Sequence, residues 1–279
     1  MEERNEGQYG SRNGRRATDP VFIEELQLEI SRASRKPLVL INYEATACYD
    51  RIIPNLGMIV SRKFGVPATV TKTNAATLEG AQYRIRTELG LSQDSYSHSP
   101  DHPICGTGQG STNSSSINLF QASVLFDCYD TKAHPATYTT PKGNHKTVLG
   151  LIGFVDDNGG QTNEFDSDGS EETTARLIQN TSKNAQMWAN LLQVSGGAIE
   201  MAKCSVHVIQ WLFSTTGGPV LQLVEAAYQK HLEITDKMTG ETHPLELLSA
   251  YRAHKTLGYH KAPAGNQQEQ FRQLKKKSD

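Results

Sequence analysis

The sequence predicts an α+β fold in which an antiparallel sheet carries helices packed on one face. Three observations lead there: a short apolar, β-branched run from Pro37 to Asn42, a hairpin pattern from Thr147 to Phe165 with adjacent acids, and separate stretches of helical apolar spacing between and around them. The 279 residues suffice for one large domain or two of ordinary size, so a sizeable core can be buried.

In chain order, Asp19 followed by Pro20 reads as an N-cap and first helical residue, and Ile23, Leu26, Ile30 and Ala33 continue one amphipathic helix to about Arg35. The run Pro37-Leu-Val-Leu-Ile-Asn42 reads as a buried strand that delivers Tyr43 to Asp50 to its end. Two helices are expected next, from Pro54 to Phe64 and from Ala68 to Glu88, then a Ser-, Pro-, Gly- and His-rich loop from Leu89 to Gly110. Helical periodicity returns from Ser111 through Ile117, Phe120, Val124 and Cys128. Thr147 to Val155 is apolar and β-rich, Asp156-Asp-Asn-Gly-Gly160 supplies turn chemistry, and Gln161 to Phe165 alternates, which makes a hairpin with acids at its tip. A long helix from Glu171 to Val194 ends at Ser195-Gly-Gly197. Ala198 to Trp211 and Pro219 to Ile234 read as extended, with a turn at Thr215 to Gly218.

Composition excludes several classes. Hydrophobic residues are 37%, charged residues 21% and mean hydropathy is -0.52, with no apolar run near the roughly 20 residues of a membrane span. The first twenty residues hold no apolar signal stretch, so an intracellular place, cytoplasmic or nuclear, is expected. Cys48, Cys105, Cys128 and Cys204 are scattered without a C-x-x-C pair and read as free thiols. The net charge of -2 conceals two extremes. Seven acids and no base lie between Phe154 and Glu172, a stretch that could hold cations, and seven bases against two acids lie between Tyr251 and Asp279. That basic tail has a composition that suits a phosphate backbone, although taken alone it reads first as a solvated terminus.

Adjacent carboxylates at a hairpin tip repel unless a cation sits beside them, so Asp156-Asp157 points to a divalent metal, against the bland alternative of an acidic turn in water. Asp166-Ser-Asp168-Gly169 is not a calcium loop. With Gly169 at position 6 of an EF-hand, Ala175 falls where the bidentate glutamate is required, and 164–172 reads as a solvated loop.

Several segments together resemble a reverse transcriptase, the RNA-directed DNA polymerase of retroelements, closer to the non-LTR type. Gly14-Arg-Arg-Ala-Thr-Asp19 is similar to the block preceding the palm, and Ile41-Asn-Tyr-Glu-Ala-Thr-Ala-Cys-Tyr-Asp50 to palm motif A. Gly108-Gln-Gly110 resembles motif B, and Phe154-Val-Asp-Asp157 motif C. Leu192 to Cys204, with Gly196-Gly197 and Lys203, resembles motif D, and His254-Lys-Thr-Leu-Gly258 the motif E turn. The resemblance implies a polymerase palm-like antiparallel sheet: partial fingers over 1–36, the palm with motifs A to D over 37–214, and the motif E turn region with the basic tail over 215–279.

It also implies an activity, extension of a DNA primer on an RNA template with deoxynucleoside triphosphates as substrates. Such phosphoryl transfer uses two Mg²⁺ (or Mn²⁺) ions about 3.5 to 4 Å apart, so carboxylates from two neighbouring strands must converge. By resemblance the metal ligands are Glu44, Asp156, Asp157 and the Ala45 carbonyl, with Lys203 as the cation that protonates the leaving pyrophosphate. Tyr49 is implied to crowd the ribose 2'-position, Gln109 and Gly110 to line the nucleotide pocket, and Leu257 and Gly258 to form the primer grip. The family carries aspartate where this chain carries Glu44. One extra methylene displaces the carboxylate by about 1 Å, and a misplacement of that size can cost about 10²-fold in rate. Two other readings fit the same residues: a catalytically inactive retroelement remnant that binds nucleic acid, and an unrelated metal-binding α+β protein. Other domains of the same polyprotein are expected partners, and a membrane is not.

Overall fold

The computed structural model describes residues 5–46, 48–99, 105–108, 111–140, 142–163, 171–213, 215–222, 224 and 226–278. Helix α1 (Thr18–Ser34) ends where Arg35 turns left-handed at φ 59°. Asp19, expected as its cap, lies inside the first turn and accepts the Arg16 backbone N–H at 2.8 Å. Strand β1 (Leu38–Glu44) runs past the apolar stretch to Glu44 because its polar end is paired on the β9 side as far as Asp157.

Three helices follow: α2 (Cys48–Arg51), α3 (Pro54–Lys63) and α4 (Ala68–Glu79). The last is shorter than its expected reach to Glu88. It is rich in β-branched residues, buries only Thr71, and meets Gly80, so nothing drives a further turn. The chain instead forms small ribbons, β2 (Gln82–Tyr83) with β5 (Tyr96–Ser97) and β3 (Arg86–Thr87) with β4 (Gly90–Leu91), where a loop was expected from Leu89 onward. Tyr83 stacks on Tyr96 at 5.3 Å between ring centroids.

Helix α5 (Ser114–Asp130) precedes β6 (Ala136–Thr139) and β7 (Lys146–Leu149), which pair with each other. The expected strand from Thr147 to Val155 therefore divides at Gly150, and its second half is β8 (Leu151–Phe154), joined to β9 (Asp157–Asn163). The hairpin turn falls at Val155-Asp156, and Gly159 and Gly160 lie in the strand instead of the turn. Packing explains this: a Cβ on Gly160 would stand 2.9 Å from Cε2 of Tyr43, so glycine lets that ring lie on the strand.

After α6 (Glu171–Val194) comes a single 3₁₀ turn (Met201–Lys203), then β10 (Ser205–Ile209), with β11 (Trp211–Phe213) and β12 (Pro219–Leu221) as a hairpin. A 3₁₀ helix over Ala226–His231 replaces part of the expected extended chain. Then follow β13 (Glu233–Thr235), β14 (Thr242–Pro244), β15 (Glu246–Leu248), the hairpin β16 (His254–Thr256) with β17 (Tyr259–Lys261), and α7 (Gln268–Ser278).

The main sheet has the order β15-β10-β1-β9-β8, antiparallel except for β10 with β15, so the fold is α+β. Side chains alternate across β1. Val39, Ile41 and Tyr43 enter a core with Phe126 and Tyr129 of α5 and Leu177, Ile178, Ala185 and Trp188 of α6. Leu38 and Leu40 face the other way and pack with Leu28 of α1 and Ile209. Helix α1 thus packs through Leu28 on the far half of that second face and only borders the end at Glu44 with Pro20 and Glu24. Among the described residues no helix is long and apolar enough to cross a membrane. The four cysteines are unpaired, as the sequence predicts.

Candidate active site

The end of the sheet at Glu44 becomes a cleft because strand register puts polar residues there. Glu44 lies opposite Asp157, and Asn42 lies between Gly159 and Ser205. With a period of two, Asn42 and Glu44 share one face, and their partners across both ladders share it with them. The hairpin β16–β17 roofs this face: Thr256 Oγ1 donates to Asn42 Oδ1 at 3.4 Å, and Ser205 Oγ bonds His254 Nδ1 at 3.1 Å. Its turn, Leu257-Gly258, has φ of 50° and 84°, the primed geometry a two-residue hairpin loop requires. Pro20 and Glu24 of α1, Gln161, Lys203 and Lys255 complete the walls. The cleft encloses about 40 Å³, room for solvent and not for a nucleotide.

Its electrostatics are those of crowded acids. Burial, then the charges of Asp156 and Glu44, push the Asp157 carboxyl up to about 6, with Lys255 pulling the other way. Asp156, exposed at the turn, acts on the other side as well. Burial and then Asp156 push the Cys48 thiol up to about 12, and burial, Cys48 and Asp156 raise the Tyr49 hydroxyl. Glu44 is held by Lys203, whose Nζ stands 3.3 Å from Oε1. The backbone delivers that contact. Thr46 N–H donates to Ala198 O and Glu200 N–H to Glu44 O, both at 2.9 Å, so the chain that leads into the 3₁₀ turn is zipped to the end of β1. This bridge uses the Glu44 carbonyl and Thr46 amide and leaves the Ala45 carbonyl out.

The geometry thus gathers Glu44, Asp157, Lys203 and Leu257 in one cleft, with Asp156 at its lip. Tyr49 sits on the Asp156 side, where its carbonyl accepts Thr107 N–H at 3.0 Å and ties α2 to the chain leading into α5. Gln109 and Gly110 lie outside the described residues, as does 164–170 of the acidic loop. Sequence reasoning missed Asn42, Gln161 and Glu24, and it took in His254 and Lys255 only as part of the motif E turn, with no role in the cleft. Asn42 could have been found from its alternation with Glu44. The others come from distant segments and carry no local signal.

Carboxylates are hard oxygen donors, and three of them repelling one another around Asp157 suit Mg²⁺ or Mn²⁺ in chemistry. Among the described residues, however, no three His, Cys, Asp or Glu side chains stand in ligand geometry, and Lys203 satisfies Glu44 instead.

No protein-family model and no curated protein matches the chain. Among solved structures it is similar to the telomerase of Candida tropicalis. In complex with a TWJ fragment of telomeric RNA that structure gives 13% identity and a TM-score of 0.45, covering 72% of this chain and 30% of that one. The apo telomerase truncated from its C-terminal domain gives 13% identity and a TM-score of 0.46, covering 85% and 41%. This chain spans less than half the length of either, and similarity at this level carries no argument about function.

Proposed function

We propose that the chain is the palm of a reverse transcriptase of the retroelement kind, closer to the non-LTR type, which extends a DNA primer on an RNA template with deoxynucleoside triphosphates. One observation carries this reading: Glu44 on β1 lies directly opposite Asp157 on the neighbouring β8–β9 hairpin, with Asp156 in the turn between. Two adjacent strands presenting acids to one cleft are what nucleotidyl transfer needs.

In this reading Glu44, Asp156, Asp157 and the Ala45 carbonyl would hold two Mg²⁺ ions, which would lower the pKa of the primer 3'-hydroxyl and neutralise charge on the departing pyrophosphate. Lys203, released from Glu44, would protonate that leaving group or stabilise it by its charge, and Tyr49 would limit the space at the ribose 2'-carbon. A groove of about 520 Å³ of mixed lining, between α4 (Thr69, Val70, Thr73, Leu78) and Thr107, Gly108 and Ser111, offers the nucleotide-sized space that the cleft lacks. Gln109 and Gly110 follow Gly108 directly in the sequence. The Leu257-Gly258 turn grips the primer end.

The test is primer extension on poly(A)/oligo(dT) with Mg²⁺ and with Mn²⁺. Extension by the wild-type chain and its loss in Asp157→Asn support the reading; extension that survives Asp157→Asn overturns it. A second reading, a remnant that binds primer-template without chemistry, is favoured by the Lys203–Glu44 ion pair and the absence of a three-acid cluster among the described residues. Binding without extension in either metal identifies it.

A further inference from the structure

The outer edge of β8, beside the acidic turn, is covered. Residues 7–10 run along it as a strap. Gly153 N–H donates to the Gly7 carbonyl and Tyr9 N–H to the Gly153 carbonyl, both at 2.8 Å, in a parallel bridge centred on Gln8 and Gly153. Gln8 is 1% exposed, and its Oε1 accepts Gly10 N–H at 2.9 Å, which fixes the strap's end. Arg12 closes the strap into a loop, donating to the carbonyls of Asn5 at 2.9 Å and Gln8 at 3.1 Å, while Arg15 stands 5.0 Å above the Tyr9 ring.

The strap ends against the turn itself. A Cβ at Gly10 would lie 2.5 Å from the Val155 nitrogen and 2.9 Å from its Cγ2, so only a bare backbone fits there. Val155 is the first residue of the two-residue loop and has φ 64°. That conformation belongs to glycine or asparagine in such loops and is costly for a β-branched residue, which holds it only where the surroundings dictate it. The strap presses on it from one side through Gly10, while on the other side Val155 lines a small cavity with Cys48, Asn118, Ala122 and Leu125.

We propose that residues 7–10 are a positioning element for the Val155-Asp156 turn, with Gly10 the residue whose bare backbone sets the aim of Asp156 and Asp157. The consequence for catalysis rests on the polymerase reading; the control of the turn does not.

The test uses the full-length chain labelled with ¹⁵N. In Gly10→Ala the amide resonances of Val155, Asp156 and Asp157 should move while those of the distant β13–β14 hairpin stay in place. Gln8→Ala, which removes the acceptor for Gly10 N–H together with the buried side chain that carries it but adds no atom beside Val155, should move the same three by less, and it decides the matter if Gly10→Ala does not fold. In primer extension, Gly10→Ala should lower kcat about 10-fold or more with KM for primer-template unchanged. Adding Val155→Gly, which removes the Cγ2 contact and accepts the positive φ freely, should restore kcat in part. Turn resonances that do not move in a folded variant overturn the proposal; a moved turn with wild-type kcat supports the control of the turn and overturns its consequence for catalysis. A wild-type chain that extends no primer sinks the polymerase reading alone, since the resonances still report whether the strap holds the turn.

Discussion

Acidifying the solution from pH 7.5 to pH 4.5 should cost the protein stability through one buried side chain, His207. It lies on the cleft face of β10, is 2% exposed, and bonds the Arg252 carbonyl through Nε2 at 3.1 Å, which assigns the neutral tautomer with the proton on Nε2. Burial first, then the positive neighbours His254, Lys261 and Arg252, push its pKa down to about 4, against the partly compensating Arg252 carbonyl. In the unfolded chain the ring takes up a proton near 6.5, in the folded one only near 4. The unfolded state therefore binds more protons between those values. Stability is complete above about pH 6.5 and drains away as pH falls toward 4. A gap of roughly two and a half units at about 1.4 kcal/mol each gives about 3.5 kcal/mol, most of it lost by pH 4.5. That is a large share of the roughly 5–15 kcal/mol that holds a domain folded. Urea unfolding of the wild type and His207→Gln at both pH values measures it. The glutamine can still donate to the Arg252 carbonyl but does not titrate, so the variant should lose about 2–3 kcal/mol less on acidification. Equal losses in the two proteins would refute the assignment of a buried, neutral His207.

Glu44→Asp should raise primer extension by about 10-fold or more if the extra methylene misplaces a metal ligand, and the shorter side chain also withdraws from Lys203; primer-extension rates at saturating nucleotide decide it. Trp188→Ala should destabilise the protein by about 3–5 kcal/mol in urea unfolding, because the ring is 1% exposed and meets Phe126 edge-on at 5.5 Å between centroids. Lys261→Met strands Glu24, whose side chain is 13% exposed and lies 3.1 Å from the Lys261 Nζ; a loss of about 3–5 kcal/mol is expected, largely recovered in the double variant with Glu24→Gln.

The features legible in the sequence were those encoded by local chemistry. The apolar run at 37–42 and the helix of 171–194 stand where residue types alone put them, and the 257–258 turn stands where the resemblance put it. The Gly159-Gly160 pair misled, since glycine serves both as a turn former and as a flat place for a ring, and only the position of Tyr43 distinguishes the two. The convergence of Glu44 with Asp157 was legible through resemblance. Its neutralisation by Lys203 was not, because the bridge of Ala45 to Ile199 that brings them together joins segments over 150 residues apart. The place of Glu24 in the cleft was invisible for the same reason.

The strand order carries a consequence for how the chain is made. Strand β1, complete at residue 44, pairs on one side with 157–163 and on the other with 205–209, and the cleft is roofed only by 254–261. Contacts that distant form late, because the loops they close must be gathered first. During synthesis at roughly 5–20 residues per second, β1 leaves the ribosome several seconds before either partner exists. Through that interval Leu38, Val39, Leu40 and Ile41 form an apolar strand with both edges unpaired. A nascent chain halted before Ser205 still offers one of those edges to any passing strand, which makes this segment the natural place for a chaperone to act and for aggregation to begin.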